Sequence, residues 1–277
     1  MKIYNTSKGI LIESENKFYL IQSIWDELIN DDNLLNKLKT LIQTNSPIDH
    51  YQDLLDNHLK VPLVSQEIWA SGVTYFNSKM ARQEESKDSG GGDFYERVYH
   101  ADRPELFFKA TAHRSVPSGG KVSIRKDSTW DVPEPELTLV ITSNGKIIGY
   151  TIGNDMSSRS IEGENPLYLP QAKTYDGCAA VGPCIYVTES PLPTSSRIHL
   201  KVIRNGEIIF DETTSISKMK RHLQELVDYL FRECSFPFGC LLMTGTGIVP
   251  TTDFTLQKDD EIQISIDHIG TLINYVR

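Results

Sequence analysis

Two apolar, β-branched runs at residues 137–141 and 147–152 flank the dipeptide Asn144-Gly145. That arrangement is the strongest short-range hairpin signal, because a two-residue type I′ turn needs positive φ at both central residues. A turn there sets the register by counting outward. Ser143 faces Lys146, Ile141 faces Ile148, Leu139 faces Tyr150, Glu136 faces Gly153 and Glu134 faces Asp155. Three carboxylates then meet at the open end. Glu134 and Glu136 are two residues apart and share one face of the strand. The Asp155 Cβ lies roughly 5 Å from that of its partner Glu134. Like charges that close destabilise a sheet unless a cation relieves them, and three oxygen donors on one side suit Mg²⁺, Mn²⁺ or Ca²⁺. Spacing alone leaves two readings open, a divalent cation site and a solvated acidic hairpin end, since one bulge moves the register. Pro133 and Pro135 cannot donate to a ladder, which confines this end to a sheet edge or mouth.

The chain of 277 residues is long enough for a substantial core, as one large domain or two smaller ones. A formal charge of -9 provides no basic footprint and argues against nucleic acid or an anionic membrane surface as a partner. No apolar run reaches membrane-spanning length, and the opening Met1-Lys2-Ile3-Tyr4 lacks an apolar signal core, so a cytoplasmic protein with small-molecule partners is expected. Cys178, Cys184, Cys234 and Cys240 show no C-x-x-C spacing and read as buried, reduced thiols rather than a zinc site.

Residues 1–22 read as a strand meander. Apolar residues then recur at helical spacing over 24–42, and a second amphipathic piece follows Pro47 over 48–59. Residues 1–62 are therefore expected to form a small N-terminal α+β domain without evident chemistry, ahead of a main domain over 63–277. A strand at 68–76 leads to a helix over 77–87. Ser89-Gly90-Gly91-Gly92-Asp93 is either a lid or a linker. Asn205-Gly206 marks a second two-residue hairpin, and 219–232 reads as the last helix. Thr244-Gly245-Thr246-Gly247 is either a backbone cradle for a carboxylate or a tight turn. Strands outnumber helices in the main part, which suits a folded-over sheet better than a doubly wound parallel one.

Six motifs in order make the chain, from about Ser65 onward, resemble the fumarylacetoacetate hydrolase superfamily. They are Gly72-Val73-Thr74-Tyr75, Pro133-Glu134-Pro135-Glu136-Leu137, Gly153-Asn154-Asp155 with Ser158-Arg159, Lys173-Thr174-Tyr175-Asp176-Gly177, Gly182-Pro183 and Thr244-Gly245-Thr246. The resemblance implies an α+β, predominantly β architecture, a mixed β-sandwich roll. It also implies Glu134, Glu136 and Asp155 as ligands of a catalytic Mg²⁺, with Mn²⁺ or Ca²⁺ as substitutes. Hydrolytic members carry a histidine and a glutamate, three and six residues beyond the tyrosine of the first motif, that activate water. Here those positions hold Ser78 and Ala81, which removes the obvious base for hydrolysis.

The segments Arg103-Pro104-Glu105-Leu106-Phe107-Phe108-Lys109-Ala110-Thr111 and Glu164-Asn165-Pro166-Leu167-Tyr168-Leu169-Pro170-Gln171 resemble a dehydratase branch acting on 2-keto-3-deoxy pentonates in pentose catabolism. That branch implies conversion of 2-dehydro-3-deoxy-D-arabinonate, or its C4 epimer, to 2,5-dioxopentanoate and water. It implies Lys173 and Glu105 as the acid/base pair, with Ser78, Arg82, Phe107 and Thr246 against the substrate, and a homodimer or homotetramer. Two alternatives stand beside it: an acylpyruvate hydrolase or oxaloacetate decarboxylase of the same superfamily, and a non-catalytic protein that binds a metal or sugar acid.

Overall fold

The computed structural model describes residues 1–85 and 92–277. Strands β1 (Lys2–Thr6), β2 (Gly9–Ser14) and β3 (Lys17–Ile21) form a meander, followed by helices α1 (Trp25–Ile29), α2 (Leu34–Gln43) and α3 (Gln52–Asn57). Next come β4 (Glu67–Gly72), α4 (Phe76–Glu85), α5 (Gly92–His100), β5 (Glu105–Ala110) and the short strands β6 (Ser115–Val116), β7 (Lys121–Val122) and β8 (Asp131–Val132). The central hairpin is β9 (Pro135–Ile141) with β10 (Ile147–Asp155). Beyond it lie β11 (Ser157–Ser158), α6 (Arg159–Glu164), α7 (Leu169–Lys173), β12 (Ala179–Tyr186), β13 (Arg197–Arg204), β14 (Glu207–Ser215), α8 (Leu223–Leu230), β15 (Cys240–Met243), β16 (Glu261–Ile266) and β17 (Gly270–Val276).

Ten strands make one mixed sheet in the order β3-β2-β1-β12-β10-β9-β15-β4-β5, with β6 parallel to β12. Five more make a second sheet, β14-β13-β16-β17-β7. Every residue of β9 is buried, because its alternate residues enter two different layers. Leu137, Leu139 and Ile141 pack with Ile198, Leu200, Ile262 and Ile264 of the smaller sheet. Val140 joins Leu241, Trp25, Leu28 and Leu38 in the layer under α1 and α2. The molecule is thus a predominantly β, mixed sandwich with helices on its outer face. The N-terminal strands continue the large sheet, since β1 pairs antiparallel with β12. Among the described residues no helix is long and apolar enough to cross a membrane.

The helical pattern over 24–42 is interrupted at Asn30, whose ψ of 44° leaves the helix, and the Asp31 side chain then accepts the Asn33 N–H at 2.8 Å. The last helix is shorter than the periodicity suggests and occupies Leu223–Leu230. Cys178, Cys184 and Cys240 are buried, but Cys234 is exposed beyond the end of α8. The lid or linker expected at Ser89-Gly90-Gly91 lies outside the described residues, and Gly92 and Asp93 open α5.

The hairpin turn differs from the two-residue form. Gly145 alone takes positive φ, 76°, while its N–H donates to the Thr142 carbonyl at 3.0 Å and the Thr142 N–H donates to Lys146 at 2.9 Å. These bonds close a three-residue loop ending in a left-handed glycine. Ile141 consequently faces Ile147 instead of Ile148, until a bulge between Ile147 and Gly149 restores Leu139 opposite Tyr150 and Glu136 opposite Gly153. Nor is β9 an edge strand. Its prolines are accommodated because β15 pairs only with residues 138–141, which leaves the Pro135 end beyond its neighbour as a mouth.

Candidate active site

At that mouth Glu134, Glu136 and Asp155 offer carboxylate oxygens that all lie within 4.8 Å of one another. None of the three is more than 3% exposed. The Asp155 N–H donates to the Glu134 carbonyl at 3.0 Å, extending the β9–β10 ladder one pair beyond the strand.

Four cations crowd around two of these acids. Lys173, in the last turn of α7, puts Nζ 2.5 Å from Glu134 Oε2 and 3.0 Å from Asp155 Oδ2. Arg159 at the start of α6 donates Nη2 to Glu134 Oε1 at 2.6 Å. Arg82 of α4 stands 3.8 Å from Glu134 and pairs with the buried Glu162. Lys109 of β5 lies 2.6 Å from Asp155 Oδ1. Glu136 is treated differently. It accepts the Gly245 N–H at 2.6 Å, and among the described residues no lysine or arginine pairs with it.

The charges follow this asymmetry. Burial alone would raise the Glu134 carboxyl, but Lys173, Arg159 and Arg82 overcome it and hold that group well below the usual carboxylate range. Burial, then the charges of Asp155 and Glu134, push Glu136 well above it. A buried acid trio with one member short of positive charge, and with oxygen donors only, suits a hard divalent cation.

Glu105 begins β5 and is half-buried as a residue, with its carboxyl packed directly over Gly72. Any side chain at Gly72 would collide with that carboxyl, so glycine there is a condition of the acid's placement. Burial raises the Glu105 carboxyl above its ordinary range, opposed by the charges of Arg82 and Lys173. The cavity over the carboxylates is tight, with about 10 Å³ of open space, and is lined by Ser71, Val73, Ser78, Arg82, Phe107 and Thr246 among others. Val73 holds φ at 53°, a strained conformation for a β-branched residue and one that recurs at functional sites.

Each residue expected at the substrate lines this cavity, but two spend their polar atoms locally. The Ser78 hydroxyl donates to the Tyr75 carbonyl at 2.8 Å. Thr246 Oγ1 donates to the Ile248 carbonyl at 3.0 Å. The glycine-threonine turn therefore supports the trio, by giving Gly245 N–H to Glu136. Phe107 sets its ring 5.8 Å from Lys173 Nζ. Sequence reasoning passed over Lys109, Arg159 and Glu162 as site residues. A charge inside the apolar run Leu106-Phe107-Phe108-Lys109-Ala110 was the available signal for Lys109.

Residues 68–277 match the family model described as fumarylacetoacetate (FAA) hydrolase C-terminal. The chain belongs to the fumarylacetoacetate hydrolase family. Within it, the chain is 50% identical over 223 residues to a probable 2-keto-3-deoxyxylonate dehydratase of Haloferax volcanii, covering 80% of this chain and 76% of that one. It is 45% identical over 238 residues to the 2-dehydro-3-deoxy-D-arabinonate dehydratase of Saccharolobus solfataricus, covering 82% and 79% respectively. A solved structure of 2-keto-3-deoxy-D-arabinonate dehydratase complexed with magnesium and 2,5-dioxopentanoate superposes with a TM-score of 0.86 at 37% identity, over 100% of this chain and 99% of that one.

Proposed function

We propose that this family member is a metal-dependent hydro-lyase that converts a 2-keto-3-deoxy pentonate to 2,5-dioxopentanoate and water. The observation that carries the reading is the Lys173 ammonium lying on two of three buried carboxylates, in a cavity lined by Ser78 where a hydrolase needs its base, with the Glu105 carboxyl packed over Gly72 of that lining. The names of the two relatives support the substrate class.

Glu134, Glu136 and Asp155 would hold the cation, magnesium in this reading, which supplies Lewis-acid chemistry to a 2-keto acid. Glu105, with its carboxyl raised by burial, is a stronger base than a free carboxylate and takes the C3 proton. Lys173 gives two protons to carboxylates and keeps a third donor for the departing C4 hydroxyl. Loss of water leaves a C3–C4 double bond conjugated to the ketone. Moving one proton from C5 to C3, and the C5 hydroxyl proton to C4, then yields the aldehyde. Arg82 and Phe107 bound the substrate, and Ser78 and Thr246 shape the wall. A cytoplasmic homodimer or homotetramer serving pentose catabolism completes the proposal.

Incubation with Mg²⁺ and a panel of 2-keto-3-deoxy aldonates should release a 5-aldehyde from pentonates. Pyruvate or a free acid released from acylpyruvates or oxaloacetate, with no aldehyde from the panel, would replace the dehydratase by a hydrolase or decarboxylase.

A further inference from the structure

The proposed chemistry gives the buried cation Lys109 no task. Lys109 is fully buried near the end of β5, four residues beyond Glu105, and is not among the residues lining the cavity. Its ammonium is ringed by three oxygens. Nζ donates to the Met156 carbonyl at 2.9 Å and to the Lys173 carbonyl, and it forms an ion pair with Asp155 Oδ1 at 2.6 Å. The Asp155 contact is charge against charge rather than a well-angled hydrogen bond. The Tyr175 ring lies on a further side, its centroid 5.8 Å away. Such an ammonium, fully buried and outside the lining, is beyond a substrate's reach, in contrast to Lys173, which faces the cavity.

Its partners come from two segments, which must meet β5 for the site to exist. Asp155 ends β10, Met156 follows it, and Lys173 ends α7. The two lysines divide the aspartate between them, Lys109 on Oδ1 and Lys173 on Oδ2. We propose that Lys109 is a positioning residue. Its ammonium fixes the rotamer of Asp155 so that Oδ2 faces Glu134, and it ties the Lys173 backbone to the same point. This rests on the reading that Glu134, Glu136 and Asp155 hold the metal.

Mn²⁺ binding to the metal-free protein, followed by the loss of the free-ion paramagnetic signal, tests the assignment. Lys109→Met should fold, melt cooperatively and bind Mn²⁺ about 10- to 100-fold more weakly, as removal of a ligand-orienting partner does. At saturating Mn²⁺ its kcat should fall more than its KM changes, and Lys109→Gln, which keeps a donor, should recover part of both losses. In an Asp155→Asn background, Lys109→Met should add little further loss, because the two act through one contact. Wild-type affinity in Lys109→Met, or the full loss repeated in the Asp155→Asn background, would overturn the role. So would failure of both Lys109 variants to fold, which would make the ammonium a structural brace. A wild-type protein that takes up no Mn²⁺ would sink the metal reading itself, and the inference with it.

Discussion

Two hairpins in this chain turn on the same dipeptide, and they end differently at both extremities. In β13–β14, Asn205 and Gly206 both take positive φ, 53° and 82°, the two-residue form that Asn-Gly favours. In β9–β10, Asn144 stays outside that region because its neighbours are held by the connection between α1 and α2. Asp32 accepts from Thr142 Oγ1 at 2.5 Å and from Asn144 Nδ2 at 2.9 Å, while the Asn30 side chain accepts the Ser143 N–H at 2.7 Å. Local preference decides the turn only where nothing docks on it. The open ends diverge too. The second hairpin finishes on Arg197, 71% exposed and paired with Asp267, whereas the first finishes on carboxylates sealed from water beside buried cations. Burial is what makes the same strand pairing a reactive site, since desolvated charges interact far more strongly than solvated ones.

The comparison breaks most easily at the acids. Glu136→Gln neutralises the one acid of the trio that lacks a paired cation, and should weaken Mn²⁺ binding by more than the roughly 100-fold lost when an outer partner is removed. Asp267→Asn, which strips the acid from the exposed pair, should leave binding and turnover unchanged. Equal metal affinity in wild type and Glu136→Gln would place the ion elsewhere.

A step smaller is the loss of a proton-transfer group. Lys173→Met or Glu105→Gln should lower kcat by about 10²- to 10⁴-fold, the usual contribution of a positioned acid or base. Near-normal kcat in either variant would remove that residue from the mechanism.

The pH profile then sharpens the division of labour between them. Glu105 must be ionised to act as a base, and burial raises its carboxyl. Activity should therefore climb with pH along an acid limb lying above the ordinary glutamate value of about 4.3. Arg82→Met removes a charge that pulls this carboxyl down, so the limb should move to still higher pH in that variant. Activity that instead falls as pH rises through that window would make Glu105 the acid.

How much of this was legible in the residues depended on which interactions were local. Glu136 opposite Gly153 could be counted from the turn, yet the count succeeded through two cancelling errors, a longer loop and a bulge that shifted the register back. The trio and its place at a mouth followed from strand alternation and proline chemistry. Lys109 and Arg159 did not, because their partners are 46 and 25 residues away in the chain, and a charge in an apolar strand does not name the acid that neutralises it. The break after α1 was equally hidden. Asp31 caps its own turn, but Asp32 turns outward to meet a hairpin 110 residues later.

The smallest effect tests the turns themselves, and the same substitution should have opposite signs in the two hairpins. Asn205 already occupies the left-handed region at about 1–2 kcal/mol per residue. Asn205→Gly relieves that strain and gives back roughly 0.5–1 kcal/mol of chain entropy, leaving a neutral to slightly stabilising change. Asn144 carries no such strain, and its amide holds Asp32. Asn144→Gly loses that hydrogen bond, about 1 kcal/mol, together with the same entropy, and should destabilise. Calorimetric Tm values, moving by about 2–4 °C per kcal/mol in a chain of this size, should fall for Asn144→Gly and hold or rise for Asn205→Gly. Shifts of the same sign would mean that the Asp32 contacts do not set the first turn, and that its three-residue form has its cause within the hairpin.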